Sequence, residues 1–199
     1  VVKIDGMGTP DRSKAFREVS YGKLLVESGG IEDHVIGLKE LGERFPELDL
    51  MRVGIYGHSG GGYASVRAML AYPDFYKVTV SGAAAHDQRI YHAGWGERYQ
   101  GYPNGDNYDG QSNTDYAENL NGKLLMIHGG LDDNVHPGHT LTFVQSLIDQ
   151  NKDFDLLVIP DADHDFRLHP YAVRRRWDYF VEHLQGVEPP SGIDLADKD

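Results

Sequence analysis

Apolar positions along this chain follow two rhythms. Short, nearly continuous apolar runs alternate with longer stretches in which apolar side chains recur every three or four positions. The first rhythm suits buried strands and the second suits one-sided helices. Val1–Asp5, Met51–Tyr56, Lys77–Val80, Leu124–His128 and Asp155–Pro160 read as strands. Ile31–Phe45 reads as a helix with Ile31, Val35, Leu38, Leu41 and Phe45 on one side and acids in its first turn. Gly60–Ala71, Gly138–Gln150 and Pro170–Leu184 read as further helices. In the last, Val173, Trp177, Phe180, Val181 and Leu184 form the expected apolar face, and Arg174–Arg176 a solvated one. Strands interleaved with helices predict an α/β fold, a mostly parallel sheet with helices on both faces. Residues 86–122 interrupt the alternation. They are rich in Tyr, Gly and Asn, and predict a short helix plus a loop over the sheet edge. Long loops of this kind usually carry function.

Composition narrows the partners. A chain of 199 residues suggests one domain, here residues 1–185, followed by a linker-like tail over 186–199. A net charge of −12 argues against nucleic acid and anionic membrane surfaces. Cysteine is absent, so no disulfide framework is expected. No apolar run approaches the length of a membrane span. The chain opens in an apolar run without an initiator Met, as expected of the C-terminal part of a longer protein. The compartment is left open by these features.

The chemistry centres on Gly57-His58-Ser59-Gly60-Gly61, a G-x-S-x-G pattern between a predicted strand and a predicted helix. A strand, a tight turn with Ser at its tip and a helix make the nucleophile elbow of an α/β-hydrolase, the fold class predicted here. The turn is strained and needs neighbours without a Cβ. The N–H groups that open the helix then point toward the same spot as the hydroxyl.

A serine nucleophile needs a base, and the base needs an orienting carboxylate, in the chain order Ser, acid, His. Leu131-Asp132-Asp133-Asn134-Val135 follows one later strand, and Asp161-Ala162-Asp163-His164 follows the next. Ser59, Asp132 or Asp133, and His164 therefore fall at the carboxyl ends of successive strands, where open α/β sheets bind ligands. Position alone does not divide the Asp pair. His58, His128 and His136 also sit near strand ends, as packing or supporting groups. Asp161–Asp165 starts like a calcium loop but lacks the Gly and Glu that such a loop requires. His136 and His139 have no third ligand nearby, so no metal site is read.

At this point the chain resembles the catalytic domain of the prolyl oligopeptidase family, nearest the dipeptidyl peptidase IV branch. Val2–Gly8 is similar to that branch's strand ending in an Asp-Gly-x-Gly turn, and Glu97–Pro103 to its Glu-Arg-Tyr-x-Gly-x-Pro segment. His128–His136 resembles its acid loop, where the first Asp is the triad acid, and Asp163-His164 its base motif. The resemblance covers about residues 1–185. It implies a triad of Ser59, Asp132 and His164, and a serine peptidase that cleaves after Pro or Ala through an acyl-enzyme, without a cofactor. It implies Tyr91 and Trp95 at aromatic positions of the specificity pocket, Ala85 and Val135 beside them, and Asn134 on a substrate carbonyl.

Two departures matter. The branch usually has an aromatic residue after the nucleophile, where this chain has Gly60, which still supplies a main-chain N–H for an oxyanion hole. The family's second oxyanion donor is a Tyr hydroxyl from a segment before Val1, and its N-terminal β-propeller also lies outside this sequence. An esterase with the same triad, or an inactive folding or interaction domain, are the alternatives. An unpaired sheet edge beside Val1–Asp5 would invite pairing with a second copy, as a homodimer.

Overall fold

A computed structural model describes residues 1–22, 30–103 and 105–193. Four strands, β1 (Val53–His58), β2 (Tyr76–Gly82), β3 (Lys123–Gly129) and β4 (Asp155–Ile159), form one parallel sheet in the order β1-β2-β3-β4. The two inner strands are buried almost throughout, as their continuous apolar runs require. Short helices surround them: α1 (Lys14–Arg17), α2 (Ile31–Arg44), α3 (Gly60–Ala71), α4 (Ala93–Gln100), α5 (Gly138–Asp149) and α6 (Pro170–Phe180).

Two apolar clusters flank the sheet. Ile31 and Val35 of α2, Val66, Met69 and Leu70 of α3, and Phe143 and Leu147 of α5 pack with Leu124 and Met126 of β3 on one face. Ala172, Tyr179 and Phe180 of α6 pack with Val78, Val80, Leu125 and Ile127 on the other. The alternation of β3 side chains sends Leu124 and Met126 one way and Leu125 and Ile127 the other. This is the expected α/β arrangement with helices on both faces.

Three local expectations need correction. Among the described residues, Val1–Asp5 pairs with no strand. Instead, His34 Nε2–H donates to the Ile4 carbonyl at 3.0 Å, and the Met7 N–H reaches Asp33 Oδ2 at 2.6 Å, tying the segment to α2. A groove of about 910 Å³ separates Val2–Ile4 from Val53–Tyr56 of β1, with Leu38, Leu50 and Leu184 among its lining. An apolar run can lack a ladder partner, and among the described residues this one does. The α6 face also differs from the periodic reading: Ala172 and Tyr179 are buried, whereas Trp177 stays 42% exposed. The arginine run is not a plainly solvated face. Arg174 pairs with Asp178 at 3.1 Å, and Arg176 lies over the rings of Tyr56 and Trp177.

The interrupted stretch holds α4 and a 3₁₀ segment, Asn113–Asn119. His92 caps α4, its Nδ1 accepting from the Trp95 N–H at 3.2 Å. Among the described residues, no helix is long and apolar enough to cross a membrane.

Candidate active site

β1 ends at His58 and α3 begins at Gly60, so one residue makes the turn. Ser59 holds φ 57° and ψ −123°, a conformation that L-residues reach at a cost of about 1–3 kcal/mol. Two contacts hold it there. The Ser59 N–H donates to the Gly82 carbonyl at 2.7 Å, and the Ser59 carbonyl accepts from Tyr63 at 3.0 Å. The turn also brings Gly57 so close to α3 that a Cβ on it would lie 2.0 Å from the Gly61 carbonyl oxygen. A Cβ on Gly62 would lie 2.5 Å from the Gly82 oxygen. Gly60 and Gly61 are different: a Cβ on either would meet nothing within 4 Å. The space beside Ser59 is open on that side, and the N–H groups of this first helical turn have no intrahelical acceptor.

β3 and β4 end beside this turn and contribute the other two groups. Ser59 Oγ lies 3.0 Å from His164 Nε2, and His164 Nδ1 lies 2.8 Å from Asp132 Oδ2. Asp132 is 2% exposed and His164 is partly exposed. A carboxylate only accepts, so His164 Nδ1 carries the proton and Nε2 is free to accept from the serine hydroxyl. Asp133, by contrast, is exposed at the surface.

The Asp132 carboxylate is well supplied with donors. Oδ1 accepts from the main-chain N–H groups of Asn134 at 3.1 Å and Val135 at 2.8 Å. Oδ2 accepts from His164 and faces His128 Nε2 at 3.3 Å. A buried charge needs such compensation.

The remaining expected residues cluster around α4 and the acid loop. Tyr91 packs edge-on against Trp95 with ring centroids 5.6 Å apart, and its hydroxyl donates to Asn134 Oδ1 at 2.7 Å. His139 lies against the other side of Tyr91, centroid to centroid 5.6 Å. Asn134 itself is exposed, while Ala85 and Val135 are 5% and 1% exposed. The latter two form the wall behind the surface rather than an open contact face.

His58, expected as a packing or supporting group, is joined by two groups that had no local signal in the sequence, Gly82 and Arg89. The His58 ring sits 5.0 Å from that of His164 and 5.1 Å from Phe166. Burial, then the neighbouring His164, pushes its pKa down to about 4, so it is neutral near pH 7. Gly82 anchors the elbow from across β2. Arg89 bridges Asp87 and Asp115, both at 2.9 Å, and ties the loop before Tyr91 to the 3₁₀ segment. Each pairing joins residues far apart or without a pattern of their own. Among the described residues, no group of three or more His, Cys, Asp or Glu is placed to hold a metal ion.

Taken together, the groups form a hydroxyl, an imidazole and a carboxylate in series beside free main-chain donors, an arrangement able to perform nucleophilic acyl transfer. Known proteins resemble the chain as a whole. The model of the prolyl oligopeptidase family matches residues 1–187. Dipeptidyl peptidase 8 of Homo sapiens is 37% identical over 175 residues, covering 84% of this chain and 19% of that protein. Dipeptidyl peptidase family member 1 of Caenorhabditis elegans is 33% identical over 188 residues, covering 91% and 22%. The crystal structure of dipeptidyl peptidase 4 of Porphyromonas gingivalis superposes with a TM-score of 0.80 at 29% identity, covering 90% of this chain and 26% of that one. The chain thus spans about a fifth of the length of these curated relatives.

Proposed function

The chain belongs to the prolyl oligopeptidase family of serine peptidases, and from that membership we propose that it hydrolyses peptide bonds after Pro or Ala through an acyl-enzyme on Ser59. The observation that carries this reading is the unbroken series from Ser59 Oγ through His164 to Asp132, at 3.0 Å and 2.8 Å.

In the proposed sequence, Ser59 Oγ attacks the scissile carbonyl carbon while its proton passes to His164 Nε2. Asp132 stabilises the imidazolium that forms and keeps Nδ1 protonated. The negative oxygen of the tetrahedral intermediate takes the Gly60 N–H, a donor whose site lies open beside the serine. Collapse breaks the C–N bond, and His164 returns its proton to the departing amine. A water then gives a proton to His164 and attacks the acyl carbon, and as the C–Oγ bond breaks His164 returns that proton to Ser59 Oγ. Tyr91 and Trp95 form one wall of the pocket for the residue before the cleaved bond, with Ala85 and Val135 behind it. Asn134, held by Tyr91, meets a substrate carbonyl.

The relatives' length supports a larger working unit. A second oxyanion donor, a Tyr hydroxyl, and a β-propeller that screens peptides would come from polypeptide outside residues 1–185, with 186–199 as a tail. The outer edge of β1 would pair with a strand from such polypeptide or from a second copy of this chain. The test is hydrolysis of a Gly-Pro amide against a panel of p-nitrophenyl esters. Preferential amide turnover, lost in S59A, is expected. Turnover of esters alone would replace peptidase with esterase.

A further inference from the structure

His128 is a buried, titratable group that the reaction above does not use. It is the penultimate residue of β3, is 1% exposed, and both its ring nitrogens are engaged. Nε2 lies 2.8 Å from the Val135 carbonyl oxygen and 3.3 Å from Asp132 Oδ2. Nδ1 lies 2.8 Å from Thr140 Oγ1 in α5.

These contacts fix the proton. The Val135 carbonyl can only accept, so Nε2 carries the hydrogen. Nδ1 is then the acceptor, and the Thr140 hydroxyl donates to it. One N–H thereby faces both ends of the acid loop: the carbonyl of Val135 and the carboxylate of Asp132. Two other N–H groups of the same loop already hold Oδ1. The titratable groups that face His128 are Asp132, His164, His86 and His139, and burial keeps His128 below its ordinary pKa. A neutral donor steadies the carboxylate without cancelling its charge, which a Lys or Arg here would do.

We propose that His128 is a positioning residue for the reaction: with Thr140 it clamps the acid loop and directs Asp132 Oδ2 at His164. This rests on the serine-hydrolase reading of Ser59. The clamp also sets the loop that carries Asn134 and Val135, so one side chain orders both the acid and part of the pocket.

The test uses the whole chain and two readouts. The first is long-range ¹H–¹⁵N NMR of the imidazole rings, which reads the tautomer without any turnover. His128 is expected as the neutral Nε2–H form near pH 7, and to take a proton only at lower pH than an exposed histidine of the same chain, because burial lowers its pKa. An Nδ1–H form, or a ring that charges together with the exposed histidines, overturns the proposal. The second is the rate of Ser59 phosphonylation by a fluorophosphonate as a function of pH, for wild type, H128F and H128Q. H128F keeps the ring volume but no donor, and the rate is expected to fall about tenfold. Its acid limb should move to higher pH, because Asp132 shares its charge with one donor fewer and holds the His164 proton more firmly. H128Q keeps a donor and should restore the rate to within about threefold. Wild-type rate and pH profile in H128F, or equal losses in H128F and H128Q, overturn the clamp. An unlabelled wild type alongside an Nε2–H ring would instead sink the serine-hydrolase reading and leave the clamp's geometry standing.

Discussion

Ser59 Oγ and His164 Nε2 lie 3.0 Å apart although 105 residues separate them in the chain. Two independent constraints create that proximity. The strained turn at Ser59 lifts its hydroxyl off the end of β1, and the end of β4 releases His164 on the same side of the sheet. Neither residue reaches the other through flexible chain.

The glycines around Ser59 should divide into two kinds. Gly57→Ala places a methyl 2.0 Å from the Gly61 carbonyl oxygen, and the backbone there cannot yield without losing the turn. A loss of at least about 2 kcal/mol is expected in chemical denaturation. Gly60→Ala meets empty space and should leave stability unchanged or slightly raised. Equal effects from the two would show that the elbow is not built as described.

Trp95→Ala should weaken turnover of Pro-containing substrates more than it weakens folding. Trp95 packs on Tyr91 and Tyr99 and is partly exposed, so its loss removes the proposed pocket wall without emptying the core. Relative kcat/KM for Gly-Pro and Gly-Arg amides measures this. A uniform loss across substrates would return Trp95 to ordinary packing.

Acid should destabilise the fold through its buried histidines. His86 is fully buried, stacked on Phe143, and burial pushes its pKa down to about 3. Unfolded, it titrates near 6.5. Between those values the unfolded chain binds more protons, so the stability present above about pH 6.5 is lost as pH falls. Thermal midpoints should drop from pH 7 to 4.5, and the drop should be shallower in H86F, which keeps the stack but cannot take a proton. Identical slopes would remove His86 from the account.

Much of this architecture was legible because its signals are local. A strand, Gly57–Gly61 and a helix adjoin in sequence, and the alternation of runs and periodic stretches gave the parallel sheet with helices on both faces. That Ser59, Asp132 and His164 share one end of the sheet follows from where their strands stop. What was not legible depends on partners chosen in three dimensions. Val1–Asp5 has strand composition, but a strand also needs a neighbour, and here α2 takes the segment instead. Asp132 and Asp133 are identical to any pattern, and only the fold turns one inward. The bond from Tyr91 to Asn134 crosses 43 positions, and that from His128 to Thr140 crosses 12. Trp177 has helical spacing with the core yet lies beside Tyr56 at the surface.

On its own the chain should be a slow enzyme. Loss of one oxyanion donor typically costs about 10²–10³ in kcat, and the second donor proposed above is a Tyr hydroxyl from polypeptide outside residues 1–185. Gly-Pro amide turnover should rise by that order when the chain is expressed behind the segment that carries the Tyr. Light scattering of the chain alone should find a dimer or larger species, because β1 has one edge unpaired among the described residues. A monomer with the turnover of the longer protein would contradict both points.

The central claim is that His164, oriented by Asp132, activates Ser59. Mass spectrometric mapping of a fluorophosphonate adduct tests it most directly, because the reagent needs an activated serine and no substrate pocket. The account predicts a stoichiometric adduct on Ser59 in the wild-type chain, none on any other serine, and a labelling rate reduced by at least about 10³ in H164Q. Labelling of H164Q at the wild-type rate, or an adduct at another serine with Ser59 untouched, would contradict it.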